Sequence, residues 1–277
     1  MINDSTHTVT EGALEVPGAR LHYEVRGQGP LIVLCGAPMD AAAFAPLAGL
    51  LAADHTVLTT DPRGINRSHL DDPGQDSTPH LRADDLSRLI THLDAGPAVV
   101  LGSSGGAVSA LALAQTRPEH VHTVIAHEPP LDELLEDRDQ QHARTDEIIA
   151  TYLAGDVTGA WRKFFAQADI NLPEPVIEEM FGGERDPRQV ADERRWFAHE
   201  LRATTRWQPD IAALGSTTAR IVVGIGDASA GQVCDRTSRA LAAALDVEPV
   251  MFPGGHTGFV DDPDAFATRL REVLRRD

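Results

Sequence analysis

Three short stretches of this 277-residue chain, PLIVLCG, PAVVLGS and RIVVGIG, are apolar at nearly every position. A strand with one face in water alternates apolar and polar residues, so continuous apolarity implies burial on both faces, as in a parallel sheet covered by helices. RLHYEV, HTVLTTD, VHTVIAH and EPVMFPGG read as further strands. Helical periodicity fills the gaps at residues 41–53, 81–93, 106–115, 232–245 and 263–275. Strand and helix in alternation imply right-handed crossovers, and so predict an α/β fold: a doubly wound, mostly parallel β-sheet flanked by helices.

The alternation breaks once, between Leu131 and Thr217, where the pattern is helical and no strand stands out. The expected organisation is therefore a core of residues 1–131 and 217–277 with an inserted helical cap over 132–216. That insertion holds eight of the thirteen aromatics, Tyr152, Trp161, Phe164, Phe165, Phe181, Trp196, Phe197 and Trp207, most of which read as the insertion's own core.

Charge bounds the partners. Acidic residues number 42 against 24 basic ones, a formal net charge of −18, and Lys163 is the single lysine. Such a surface repels nucleic acid and anionic membrane. The start MINDSTHTVTEG has neither a basic stretch nor an apolar core, and no apolar run reaches the roughly 18 residues that span a bilayer, so the expected location is cytoplasmic. Cys35 and Cys234 read as reduced, ordinary thiols.

Chemistry concentrates at Gly102-Ser103-Ser104-Gly105-Gly106, a G-x-S-x-G pattern between an apolar strand and an alanine-rich helix. Small neighbours there permit a sharp strand-to-helix turn that lifts the Ser104 hydroxyl off the sheet edge. A hydroxyl is a weak nucleophile without an oriented base. Among twelve histidines, His256 stands in FPGGHTGF directly after the last strand, where a loop reaches over the carboxyl edge of a parallel sheet. Oxyanion donors are expected from the backbone N–H of Gly105 and, in the loop LCGAPMD, of Ala37. No Walker lysine, dinucleotide-binding glycine pattern or metal-ligand spacing is present; His120 and His122 alternate at a strand start and read as surface residues, so neither a cofactor nor a metal is expected.

With RLHYEVRGQGP, LIVLCGAP, TTDPRGINRS, GSSGG and GGHTGF in this order, the chain resembles the α/β-hydrolase fold superfamily over nearly its full length. DPRGINRS is similar to that superfamily's D-x-R-G-x-G-x-S turn with Asn66 in place of the second glycine, and Cys35 stands where many members have histidine. The resemblance implies a Ser-acid-His triad, and two acids compete. Asp227 in VVGIGDAS follows the next-to-last strand, the superfamily's commonest acid position, yet it also lies in a polar turn where aspartate commonly caps. Glu128 in VIAHEPPL ends the strand after the nucleophile helix, as in lactonases similar to zearalenone hydrolase, at a spot where an unpaired charge is unfavourable. Glu128 is favoured and Asp227 is the alternative. The expected activity is cofactor-independent hydrolysis of an ester, lactone or thioester of a largely apolar small molecule. Carbon–carbon bond hydrolysis or perhydrolysis on the same triad, or non-catalytic ligand binding on the same fold, are the rival readings. Oligomeric state is not encoded in any of these patterns.

Overall fold

In the computed structural model, which describes residues 8–275, nine strands form one sheet. They are β1 (Thr10–Val16), β2 (Ala19–Arg26), β3 (Leu31–Cys35), β4 (Thr56–Thr60), β5 (His69–Leu70), β6 (Ala98–Ser103), β7 (Val121–His127), β8 (Arg220–Gly226) and β9 (Val250–Phe252). Their spatial order is β1-β2-β4-β3-β6-β7-β8-β9, with β5 paired to β2. Every neighbouring pair from β4 through β3 to β9 is parallel, whereas β2 runs antiparallel to β1, β4 and β5.

The continuous apolar runs are the strands buried on both faces: β3 and β6 are buried at every position. Successive side chains point to opposite faces. Leu31, Val33 and Cys35 therefore join one core layer with α2 (Pro79–Leu93) and α3 (Gly105–Thr116), while Ile32 and Leu34 join the other with α1 (Ala41–Leu51) and α12 (Pro263–Leu274). Each such aliphatic chain, fully withdrawn from water, contributes about 1.5–3 kcal/mol. α10 (Val233–Ala244) closes the first face through Leu241 and Ala242, and α11 (Gly258–Asp261) the second through Phe259.

Two strands escape the sequence pattern. β1, TEGALEV, is an edge strand exposed at most positions, and β5 is two residues long, so neither carries enough apolar periodicity to be read. No helix among the described residues is long and apolar enough to cross a membrane. The N-terminal segment read for a leader falls mostly on residues 1–7, outside the described residues.

Between β7 and β8 the chain forms α4 (Arg138–Leu153), α5 (Val157–Ala168), α6 (Glu174–Phe181), α7 (Pro187–His199), α8 (Leu201–Thr205) and α9 (Ile211–Ser216). Ile148, Ile149, Tyr152, Trp196, Phe197 and Leu201 build a core of their own, with Trp161 and Phe164 packed on it. Trp161 stacks on Phe181 and Tyr152 on Phe197, each at 4.2 Å between ring centres. Packing divides the segment: Trp207 and Leu214 belong to the sheet's own layer rather than to this aromatic core.

Candidate active site

Ser104 sits between β6 and α3 with φ 55° and ψ −125°, a left-handed conformation that a non-glycine residue adopts under constraint. The constraint is visible on both sides. Its N–H donates to the His127 carbonyl on β7 at 2.9 Å, and its carbonyl accepts the Ala107 N–H at 2.9 Å. Glycine is required around it because the chain passes so close to itself: a Cβ on Gly102 would meet the Gly106 carbonyl at 2.3 Å, and one on Gly106 the Cys35 carbonyl at 2.2 Å.

Ser104, Gly105, Ala37 and His256 line one cleft, with about 770 Å³ of empty space between the side chains, part of it continuous with solvent. Gly105 opens α3, so its N–H has no partner within the helix. Ala37 follows β3, and its N–H donates to no other described group. Two backbone donors thus flank the serine. Cys35, next to this loop, is inert: its thiol contacts the Gly106 carbonyl at 3.7 Å, and burial pushes it up to about 12.

β7 ends at His127, and Glu128 turns out of the sheet with φ 52°. Its carboxylate is fully buried. Oε2 accepts from His256 Nδ1 at 2.6 Å, and Oε1 accepts the Gly226 N–H at 2.8 Å. Burial works to raise its pKa, but the His256 hydrogen bond and charge outweigh it, with smaller help from His127 and Ser229, and hold the carboxyl down to about 2. Burial likewise works against the charged form of His256, but contact with Cys234 and then with Glu128 outweighs it and raises the imidazole to about 10. Asp227 has a different partner. It is exposed, and its Oδ1 accepts the Gly254 N–H at 3.0 Å, which ties the β8 loop to the loop that carries His256.

Ser104 and His256 share the cleft wall, with no hydrogen bond between them among the described residues. Glu128, Cys234 and His256 bring carboxylate, thiol and imidazole donor atoms within 4.8 Å of one another, a set with the chemistry to hold a metal ion, although Glu128 and His256 already bind each other. Far apart in sequence, these three show no metal-ligand spacing. His120 instead meets Ser87 Oγ at 2.8 Å and His122 is exposed.

The DPRGINRS turn is hydrogen-bonded to the start of α1. Asn66 adopts φ 50°, which asparagine tolerates, so it replaces a glycine without breaking the turn. Its amide donates to Asp40 Oδ2 at 2.8 Å, at the start of α1. Asp61 accepts the Ala41 N–H at 3.0 Å and Arg67 Nε at 2.8 Å.

The remaining wall of the cleft is largely apolar, and only two of the eight insertion aromatics, Phe164 and Trp196, reach it. Two wall residues carry no motif by which sequence could single them out: Cys234 at the start of α10, and Asp132 just after the Pro129-Pro130 pair.

The sequence matches the profile of the alpha/beta hydrolase family over residues 31–269. It is 33% identical over 283 aligned residues to an uncharacterized hydrolase, YraK, of Bacillus subtilis strain 168, covering 98% of each chain. It is 24% identical to a zearalenone hydrolase of Bionectria ochroleuca, over 96% of this chain and 98% of that one. Among solved structures, an esterase of Exiguobacterium antarcticum superposes with a TM-score of 0.73 at 18% identity, covering 94% of this chain and 97% of that one.

Proposed function

The chain belongs to the alpha/beta hydrolase family, and from that premise we propose that it is a cofactor-independent serine hydrolase cleaving an ester, lactone or thioester of a largely apolar small molecule. The observation that carries this reading is the 2.6 Å contact between the buried Glu128 carboxylate and Nδ1 of His256, a residue that lines the same cleft as Ser104. Glu128 Oε2 fixes the proton on Nδ1, so that in the neutral imidazole, the form that acts as base, Nε2 is the free acceptor.

Ser104 Oγ then attacks the carbonyl carbon as its proton passes to His256 Nε2. The carbonyl π electrons move to oxygen, and the Ala37 and Gly105 N–H groups receive that oxyanion. Collapse of the tetrahedral adduct breaks the bond to the leaving alkoxide or thiolate, which takes the proton from His256 and leaves Ser104 acylated. Water repeats the sequence in reverse, delivering a proton to His256 and a hydroxyl to the acyl carbon, and frees the acid and the serine.

In the same reading residues 132–216 act as a cap whose Phe164, Trp196 and Leu201 shape the substrate pocket over a core of 1–131 and 217–277, and the protein works in the cytoplasm. Likeness to a zearalenone hydrolase puts zearalenone among the first substrates to test. Labelling with a fluorophosphonate decides the class. The expected result is a covalent adduct on Ser104 of the folded protein, absent in Ser104→Ala; a folded wild type that takes no adduct overturns the reading in favour of ligand binding without catalysis.

A further inference from the structure

Past Glu128, which is buried behind His256, the chain leaving β7 carries a second carboxylate, and this one lines the cleft. Asp132 follows Glu128 on a short 3-10 turn, Asp132–Leu134, and lines the cavity with Ser104 and His256. The connection is rigid. Two prolines separate the acids, the Pro129 carbonyl accepts the Thr237 hydroxyl at 2.6 Å, and Leu131 is fully buried. Asp132 is only 1% exposed, yet its Oδ2 has no hydrogen-bond partner among the described residues.

The cations that act on Asp132 are engaged elsewhere. Arg236 donates to Asp137 at 2.6 Å, and Arg206 to the His142 carbonyl at 3.0 Å and to Asp146 at 2.9 Å. Arg206 Nε is unpartnered as well, but Arg206 is not part of the cleft wall. Burial, with Asp137 and Glu133 adding repulsion, pushes the Asp132 carboxyl up to about 7, the opposite of what its neighbour Glu128 experiences.

Other polar groups on the wall are already satisfied within the protein. Gln167 Nε2 bonds the Gln141 carbonyl and Thr145 Oγ1, each at 3.1 Å, and Thr204 Oγ1 accepts from Arg82 at 2.9 Å. The exceptions, apart from the reacting groups, include Asp132 Oδ2 and the buried Thr205 Oγ1, which also lacks a partner. A carboxyl withdrawn from water without a partner is destabilising, so leucine or asparagine would serve better if packing were its only task.

We propose that Asp132, assisted by Thr205, is a specificity-determining group that accepts a hydrogen bond from a hydroxyl or amide N–H on an otherwise apolar substrate. This rests on the serine-hydrolase reading and deepens it: the substrate is an ester, lactone or thioester that carries a donor some distance from its scissile carbonyl. A site built around a buried acceptor discriminates strongly against the analogue that lacks the donor, because that analogue leaves the acceptor unpaired.

Matched substrates test it on both sides of the scissile bond. One series pairs p-nitrophenyl alkanoates with their ω-hydroxyalkanoates from four to eight carbons, and the other pairs acetate esters of alkanols with monoacetates of alkanediols of the same lengths. The wild type should prefer at least one hydroxylated member by about 10- to 100-fold in kcat/KM, the range of a hydrogen bond to a charged group. Asp132→Ala should bring the ratio of kcat/KM between the hydroxylated and parent members close to one, with Tm equal or higher. Asp132→Asn should recover part of the preference, since its carbonyl still accepts. An equal ratio in wild type and Asp132→Ala, or an equal loss on both members with a lowered Tm, overturns the proposal. If the wild type hydrolyses no member of any pair and Ser104 takes no phosphonate, the serine-hydrolase reading has failed and this proposal with it.

Discussion

Replacing Glu128 by glutamine tests the acid assignment at nearly constant shape, and the hydrogen bonds around it set the size of the effect. Oε1 is committed to the Gly226 N–H at 2.8 Å and Oε2 to His256 Nδ1 at 2.6 Å. A glutamine has one acceptor oxygen and one NH2 group. With its oxygen kept on Gly226, the NH2 faces Nδ1, which must then become an acceptor, so the imidazole proton moves to Nε2. That is the wrong tautomer for a base that has to take a proton from Ser104. Flipping the amide restores the tautomer but sets NH2 against the Gly226 N–H and leaves a buried donor unpaired, about 1–3 kcal/mol. The charge that stabilises the imidazolium is gone in either pose.

Combining both losses, kcat should fall about 10³- to 10⁴-fold, or about 4–5.5 kcal/mol at 1.36 per tenfold, with KM little changed. Steady-state kinetics on an ester that the wild type turns over gives the magnitude, and a thermal melt shows whether the strand end has held. The pH profile supplies a separate sign. Glu128 raises His256, so Glu128→Gln should move the acid limb of kcat/KM to lower pH even as the plateau drops. Asp227→Asn is the comparator: an exposed residue that only caps Gly254 should lose less than tenfold. A crippled Asp227→Asn beside a near-normal Glu128→Gln refutes the reasoning.

Ser104→Ala should lower kcat about 10⁴-fold or more at unchanged Tm, since it removes one hydroxyl; activity within tenfold of wild type would reject the nucleophile. Phe164→Ala should raise KM about tenfold with a smaller change in kcat, because Phe164 forms cleft wall and touches no reacting atom; a pure kcat effect would place it differently. His127 is fully buried, and burial lowers its pKa from 6.5 to about 4. A histidine depressed in the folded state favours folding above its unfolded pKa and loses that contribution as pH falls from about 6.5 to about 4, roughly 3 kcal/mol in all. Urea midpoints across that window should fall steeply for wild type and more gently for His127→Phe; parallel curves would contradict the assignment.

Much of the sheet is legible in sequence because burial on both faces leaves a mark that needs no partner to read. β3, β6 and β8 are apolar runs of five to seven residues bounded by glycine, proline or charge. β1 leaves no such mark, since an edge strand with most positions in water is chosen by its pairing with β2 rather than by its own hydrophobicity. The insertion is legible as helical and aromatic, but its internal division is not. Nothing in the local sequence of Trp207 distinguishes a ring that packs under the sheet from Trp161, which packs on the insertion's own core.

The site divides along the same line. Ser104 and His256 stand where backbone geometry alone demands glycine around them, and glycine is visible in sequence. The choice between Glu128 and Asp227 rests on side-chain direction at two neighbouring strand ends, and β7 and β8 are hydrogen-bonded partners, so both acids emerge at one edge of the sheet. Their positions differ: Glu128 has a left-handed φ and its carboxylate accepts the Gly226 N–H at the end of β8, while the exposed Asp227, one residue further on, accepts the Gly254 N–H. The same strand end that buries one acid against an imidazole continues through two prolines to bury a second, Asp132, whose Oδ2 has no hydrogen-bond partner among the described residues. Sequence shows both as carboxylates beside prolines; only packing shows that one is paired with His256 and that the other lines the cleft with an unpartnered oxygen.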